Sequence, residues 1–118
     1  MSKNEAVTEV VENEAAEANE EIVGVGTYTF KEPTKIDGEA VETIDYDFTM
    51  LDGSNIRHAR AELQRKGYTV AVKELDECYH AAMFAEAAGV SLADVERFGC
   101  QDYEAVADIA QAFLYGGE

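Results

Sequence analysis

Residues 41–50 read Val-Glu-Thr-Ile-Asp-Tyr-Asp-Phe-Thr-Met. Ile44, Tyr46, Phe48 and Met50 fall on one side, and Thr43, Asp45, Asp47 and Thr49 on the other. A period of two belongs to a β-strand with one face in the core and one in water. Upstream, the run Gly26-Thr-Tyr-Thr-Phe-Lys-Glu puts Tyr28 and Phe30 on one face of an earlier extended segment, followed by Pro33. Between the two runs lies Asp37-Gly38, a turn signal. The expected unit is a two-stranded ribbon. Such a ribbon is marginal in water by itself, so it must pack on the rest of the chain or pair with another copy through an open edge.

From Asp52 onward the spacing is helical. Asp52-Gly53-Ser54 precedes Asn-Ile-Arg-His-Ala-Arg-Ala-Glu-Leu-Gln-Arg-Lys, with Ser54 as the expected N-cap, Ile56, Ala59 or Arg60, and Leu63 on one side, and Gly67 as the stop. Arg57, Arg60, Arg65 and Lys66 make this a basic helix in an acidic chain, answered either by acids elsewhere in the fold or by a partner. Residues Thr69 to Ala88 read as one long helix closing at Gly89, with Val72, Leu75, Tyr79, Ala82, Met83 and Phe84 as a broad apolar face and the hub of the fold. Ser91-Leu-Ala-Asp94 has the form of a capping box and opens a short helix ending at Phe98-Gly99. Asp102 is placed as the cap of a last helix lined by Tyr103, Val106, Ala107, Ala110, Phe113 and Leu114. Strands first and helices after give an α+β fold, an N-terminal two-stranded ribbon followed by a bundle of about four helices.

The chain has 118 residues, 25 acidic against 9 basic, for a net charge of −16. Seven of the acids precede residue 25, where Lys3 is the one base and there is no aromatic residue. That composition buries too little to offset chain ordering, so residues 1–24 read as a disordered acidic arm with enough Glu and Ala to become helical on a partner, and residues 25–118 as a single α+β domain. Acids dominate in both parts. Direct binding of nucleic acid, whose affinity comes largely from Lys and Arg on phosphate, is therefore not expected, nor is binding to an anionic membrane; solubility and protein partners are. Cys78 and Cys100 lack paired spacing, and no charged-then-apolar leader precedes them, so reduced thiols in a cytoplasm are expected.

No catalytic, cofactor or metal site is legible. Cys78 and His80 lie two residues apart on a helix, on different faces, with no second pair at ligand spacing. His58 and His80 read as surface or interface residues. Asp45 with Asp47 and Asp76 with Glu77 are the neighbouring carboxylates that so acidic a chain produces by chance, without a calcium-loop spacing. The candidate contact residues are Arg57, Arg60 and Arg65 on the basic helix, and Phe113, Leu114 and Tyr115 as an apolar patch closing the last one.

Taken in order, the strand Tyr28-Thr-Phe-Lys-Glu-Pro33, the phrase Lys35-Ile-Asp-Gly-Glu-Ala-Val41 leading into Tyr46 and Phe48, the basic helix after Gly53-Ser54, and the segment from Asp102 to Leu114 resemble the tail assembly chaperones of Mu-like and related contractile-tailed phages. The phrase is carried by Phe30, Pro33, Ile36, Gly38 and Val41, and the likeness spans roughly residues 27 to 115. It implies a non-enzymatic protein without cofactors. Such a protein binds the tape measure protein in the host cytoplasm, keeps its hydrophobic helices soluble, helps recruit tail tube subunits, and leaves before the virion is complete. Two other readings stand beside it: an acidic DNA mimic that blocks a nucleic-acid enzyme, which the charge favours but whose acidic face the basic helix at 57–66 would interrupt, and a structural tail or neck subunit retained in the particle.

Overall fold

A computed structural model describes residues 23–116. The expected arm lies outside the described residues as far as residue 22. Two antiparallel strands, β1 (Val25–Ile36) and β2 (Glu39–Asp47), form the ribbon; then come α1 (Gly53–Arg65), α2 (Glu77–Ala88), α3 (Leu92–Glu96) and α4 (Cys100–Tyr115), with single 3₁₀ turns at Phe48–Met50 and Lys73–Leu75. The α+β order and the helix count are those read from the sequence.

The ribbon is closed by Asp37 (φ 54°) and Gly38 (φ 83°), two consecutive residues in the left-handed region between the closing pair Ile36 and Glu39. This is the primed two-residue turn whose twist matches that of the strands, and Asp-Gly suits it because both residues tolerate positive φ. Tyr28 pairs with Ile44 and Thr29 with Thr43, but the next pair is Thr34 with Val41, so β1 carries a bulge over residues 30–33. Pro33, which donates no hydrogen bond, sits within that bulge, where no ladder bond is lost.

Asp102 closes the bulge onto the helices. Its carboxylate accepts hydrogen bonds from the Tyr28 hydroxyl (2.5 Å), the Lys31 backbone N–H (2.8 Å) and the Glu32 backbone N–H (3.0 Å). Asp102 is 1% exposed. The bulge takes those two N–H groups out of the ladder, and the carboxylate gives them the acceptor they lack. The expected role of Asp102 as an N-cap is thus corrected: Gly99 is the cap and Asp102 lies inside the first turn, where a negative charge also meets the positive end of the helix. Burial pushes the carboxyl upward, but the three hydrogen bonds and the nearby Lys31 charge outweigh it and hold it below the ordinary carboxylate value. For Tyr28, burial and then the Asp102 carboxylate push the hydroxyl up to about 12.

Above the ribbon the core is organised by α2. Its residues Tyr79 to Ala85 are buried without interruption, as expected of a helix covered on every side. It packs on α1, α3, α4 and β2. Ala81, Ala82 and Ala85 allow close approach, while Phe84 meets Tyr46 (ring centroids 5.5 Å apart) and Phe48 (6.3 Å) across the strand face. Phe30, projected by the bulged strand, stands edge-on to Phe98 at 4.8 Å.

Four further expectations are corrected. The second strand ends at Asp47, and the turn after it swings Met50 out to 76% exposure while Phe48 stays in the core. The N-cap of α1 is Asp52, whose side chain accepts from Ser54 N–H while the Asn55 side chain accepts from the Asp52 N–H. The helix expected over 69–88 begins only at Glu77, capped by Asp76 on the Tyr79 N–H (3.0 Å), and Val72 and Leu75 are exposed. Thr69-Val-Ala-Val72 is β-branched and lacks a cap, whereas Asp76 supplies one, so the helix starts at the cap. His80 is 4% exposed, and so is a core residue.

Replacing Asp102 by Ala strands three donors and should cost about 3 kcal/mol or more in denaturant unfolding, against ~1.5 kcal/mol for Tyr28→Phe, which removes a single hydrogen bond to a charged group. The pH dependence has two limbs. The contribution of Asp102, whose folded pKa is depressed, is present above pH 3.8 and lost as pH falls through the folded value; that of Tyr28, raised from 10.0 to about 12, is complete below pH 10 and lost as pH rises toward 12. Urea midpoints measured across both windows should show the alkaline limb shrinking in the Tyr28→Phe variant.

Candidate protein-binding surface

The amphipathic spacing of α1 turns Ala59 and Leu63 into the core and leaves Arg57, Arg60 and Arg65 on the outside. The helix is held in place from its polar side. Asn55 Nδ2 donates to Glu86 Oε1 (2.9 Å), His58 Nδ1 contacts the other oxygen of Glu86, and Lys66 Nζ lies 3.1 Å from Glu96. His58 is exposed, as expected. The four bases of the helix divide into two pairs. Arg65 is paired with Glu62 one turn back and Lys66 with Glu96, whereas among the described residues neither Arg57 nor Arg60 has a carboxylate within ion-pair distance.

Arg60 opens onto a groove lined with Gln64, Tyr68, Thr69 and Val70. Around it the segment between α1 and α2 exposes Tyr68 (43%), Val72 (50%) and Leu75 (79%). These three are not among the sequence candidates. Val72 and Leu75 fit a helix face by spacing and hence the core, and the signal that separates them is the uncapped, β-branched start of that helix.

Phe113, Leu114 and Tyr115, the other sequence candidates, are half-buried at the end of α4 and pack on the core. The Phe113 ring stacks on Phe48 at 5.1 Å and 21°. Tyr115 lies 5.7 Å from the His80 ring, and burial, followed by the neighbouring Tyr79 hydroxyl, pushes its own hydroxyl upward. Arg60 acts on the same hydroxyl in the opposite sense and Glu74 in the same sense, so the basic helix, the 73–75 turn and the end of α4 converge there. The fold brings Arg60 and Tyr115 into one neighbourhood, and Arg57 adjoins Arg60 on the same helix face. The Nε2 atom of His80 is buried beside this cluster without a hydrogen-bond partner among the described residues.

Among the described residues there is no cluster of three or more His, Cys, Asp or Glu side chains able to hold a metal ion, and no helix long and apolar enough to cross a membrane. Both cysteines are free. Cys100 is exposed at the start of α4, whereas burial pushes the Cys78 thiol up, the nearby Tyr103 hydroxyl opposes that shift, and the neighbouring carboxylates add to it.

Exposed cations and exposed apolar side chains thus occur together on a small α+β scaffold. Compared with known families, residues 27–115 match the model of the phage tail assembly chaperone proteins, E, or 41 or 14, and the chain belongs to that family. No curated protein and no solved structure matches it.

A thiol reagent at neutral pH should separate the two cysteines, with Cys100 reacting fast and Cys78 at least ~tenfold more slowly, because only the thiolate attacks and Cys78 is both covered and shifted upward. Mass spectrometry of partly labelled protein reads the order directly; equal rates would show that Cys78 is not shielded by Tyr103 and the core.

Proposed function

We propose that this protein is a non-enzymatic chaperone of the host cytoplasm that binds the tape measure protein, keeps it soluble and helps recruit tail tube subunits, and that it is absent from the mature virion. The observation that carries this reading is the family match over residues 27–115. The surface chemistry supports it. Exposed Tyr68, Val72 and Leu75 offer apolar contact to a sticky helix, the adjacent Arg57 and Arg60 give it orientation, and the acidic remainder of the chain keeps the complex soluble. Arg57, Arg60 and Arg65, with Phe113, Leu114 and Tyr115, are the proposed contact residues.

Co-expression with the tape measure protein of the same phage tests the reading. The expected outcome is a soluble complex recovered by pull-down, with the tape measure protein insoluble when expressed alone. A tape measure protein that is soluble by itself and does not co-purify would overturn it. Within the complex, Arg57→Glu with Arg60→Glu should weaken binding by roughly a hundredfold if each cation contributes about 1.4 kcal/mol. Lys35→Glu, a charge change on β1 beside the hairpin turn and outside the proposed contact residues, should leave binding nearly unaltered.

A further inference from the structure

Arg57 and Arg60 stand exposed on a chain of net charge −16, without an acidic partner among the described residues. Tyr68 lines a groove with Arg60, and the segment that continues from it exposes Val72 and Leu75 on either side of Glu74, whose charge and that of Arg60 both act on Tyr115. The sequence itself contains a segment of the complementary chemistry. In residues 5–22, Val7, Val11, Ala15, Ala18 and Ile22 recur every three or four positions, the period of one helix face, and seven glutamates occupy other positions with no base among them.

We propose that residues 5–22 dock on this face of their own chain, as a helix whose apolar stripe covers Tyr68, Val72 and Leu75 and whose glutamates answer Arg57 and Arg60. The dimensions allow it. Eighteen helical residues measure about 27 Å, and the segment is tethered at Val23, which is 78% exposed and precedes Gly24, packed against Phe113 two residues before Tyr115. Covalent attachment supplies an effective concentration of about a millimolar, so weak contacts suffice to occupy the face. Glu62 and Glu74 are the acids at its rim that oppose the docking; Glu62 is already engaged by Arg65. The consequence for binding, which rests on the chaperone reading, is that a partner taking this face must displace the arm, so the arm sets the affinity threshold.

The test uses the full chain alone, and so separates failure of the docking from failure of the chaperone reading. A fluorescent synthetic peptide of residues 1–22 is titrated into the wild type and into a full-length variant carrying Glu9→Lys, Glu12→Lys, Glu17→Lys and Glu20→Lys, which drives the tethered arm off the basic face. The expected result is at least tenfold tighter peptide binding to the variant than to the wild type, abolished when Arg57→Glu and Arg60→Glu are added. Amide NMR signals of Phe84 and Val95, both in the core, report that each variant is folded. Equal binding to wild type and arm variant, or binding that survives the arginine reversal, overturns the proposal. So does a wild-type dimer in sedimentation that the arm variant dissolves, which would place the arm on a second copy.

Discussion

A two-stranded ribbon has no stability to spare, and in this protein one buried carboxylate ties it to the helices. Asp102 accepts from a side chain and from two backbone N–H groups of β1 at once. The strand bulge and the acid depend on each other. Without the bulge the N–H groups of Lys31 and Glu32 would not be free, and without the acid they would be orphaned where β1 meets the start of α4, at a cost of about 1–3 kcal/mol each if buried. The bulge also aims Phe30 at Phe98, so the same local irregularity delivers both a polar and an apolar attachment.

Everything else gathers around α2. A helix buried over seven successive residues needs neighbours on all sides, and four short elements provide them where none could cover it alone. Its alanines let those neighbours approach, and Phe84 joins it to the aromatic face of β2. The core is thereby filled by elements that are individually short. The outer face of α1 and the side chains of Tyr68, Val72 and Leu75 are left over, because packing makes no demand on them, and they remain exposed beside the core that Val70 and Asp76 serve.

How much of this was legible can be seen residue by residue. The alternation in 41–48 and the Asp37-Gly38 turn point to the ribbon, and Ser91, Gly67 and Gly89 mark helix boundaries that the structure keeps, because these signals act through a residue's own backbone and its nearest neighbours. Met50, Val72 and Leu75 mislead for the opposite reason. Each fits a local period, but the chain leaves that period at the turn after Asp47 and again before Asp76, where capping and not hydrophobic spacing sets the start of a helix. His80 reads as a surface residue on polarity alone, whereas a helix enclosed on every side has no outward position for it.

By itself, then, the sequence determined the strand and helix order, the acidic balance with its one basic helix, and through its family pattern the class of protein. Local propensity, periodicity and charge are properties of consecutive residues and need no fold to be read. Only the tertiary structure decided that Asp102 spans 74 positions to reach Tyr28, that two of the four bases of α1 are answered by Glu62 and Glu96, and that Arg60 and Tyr115 share a neighbourhood. Those outcomes depend on which distant groups packing brings within hydrogen-bond or Coulomb range, and no spacing along the chain encodes that distance.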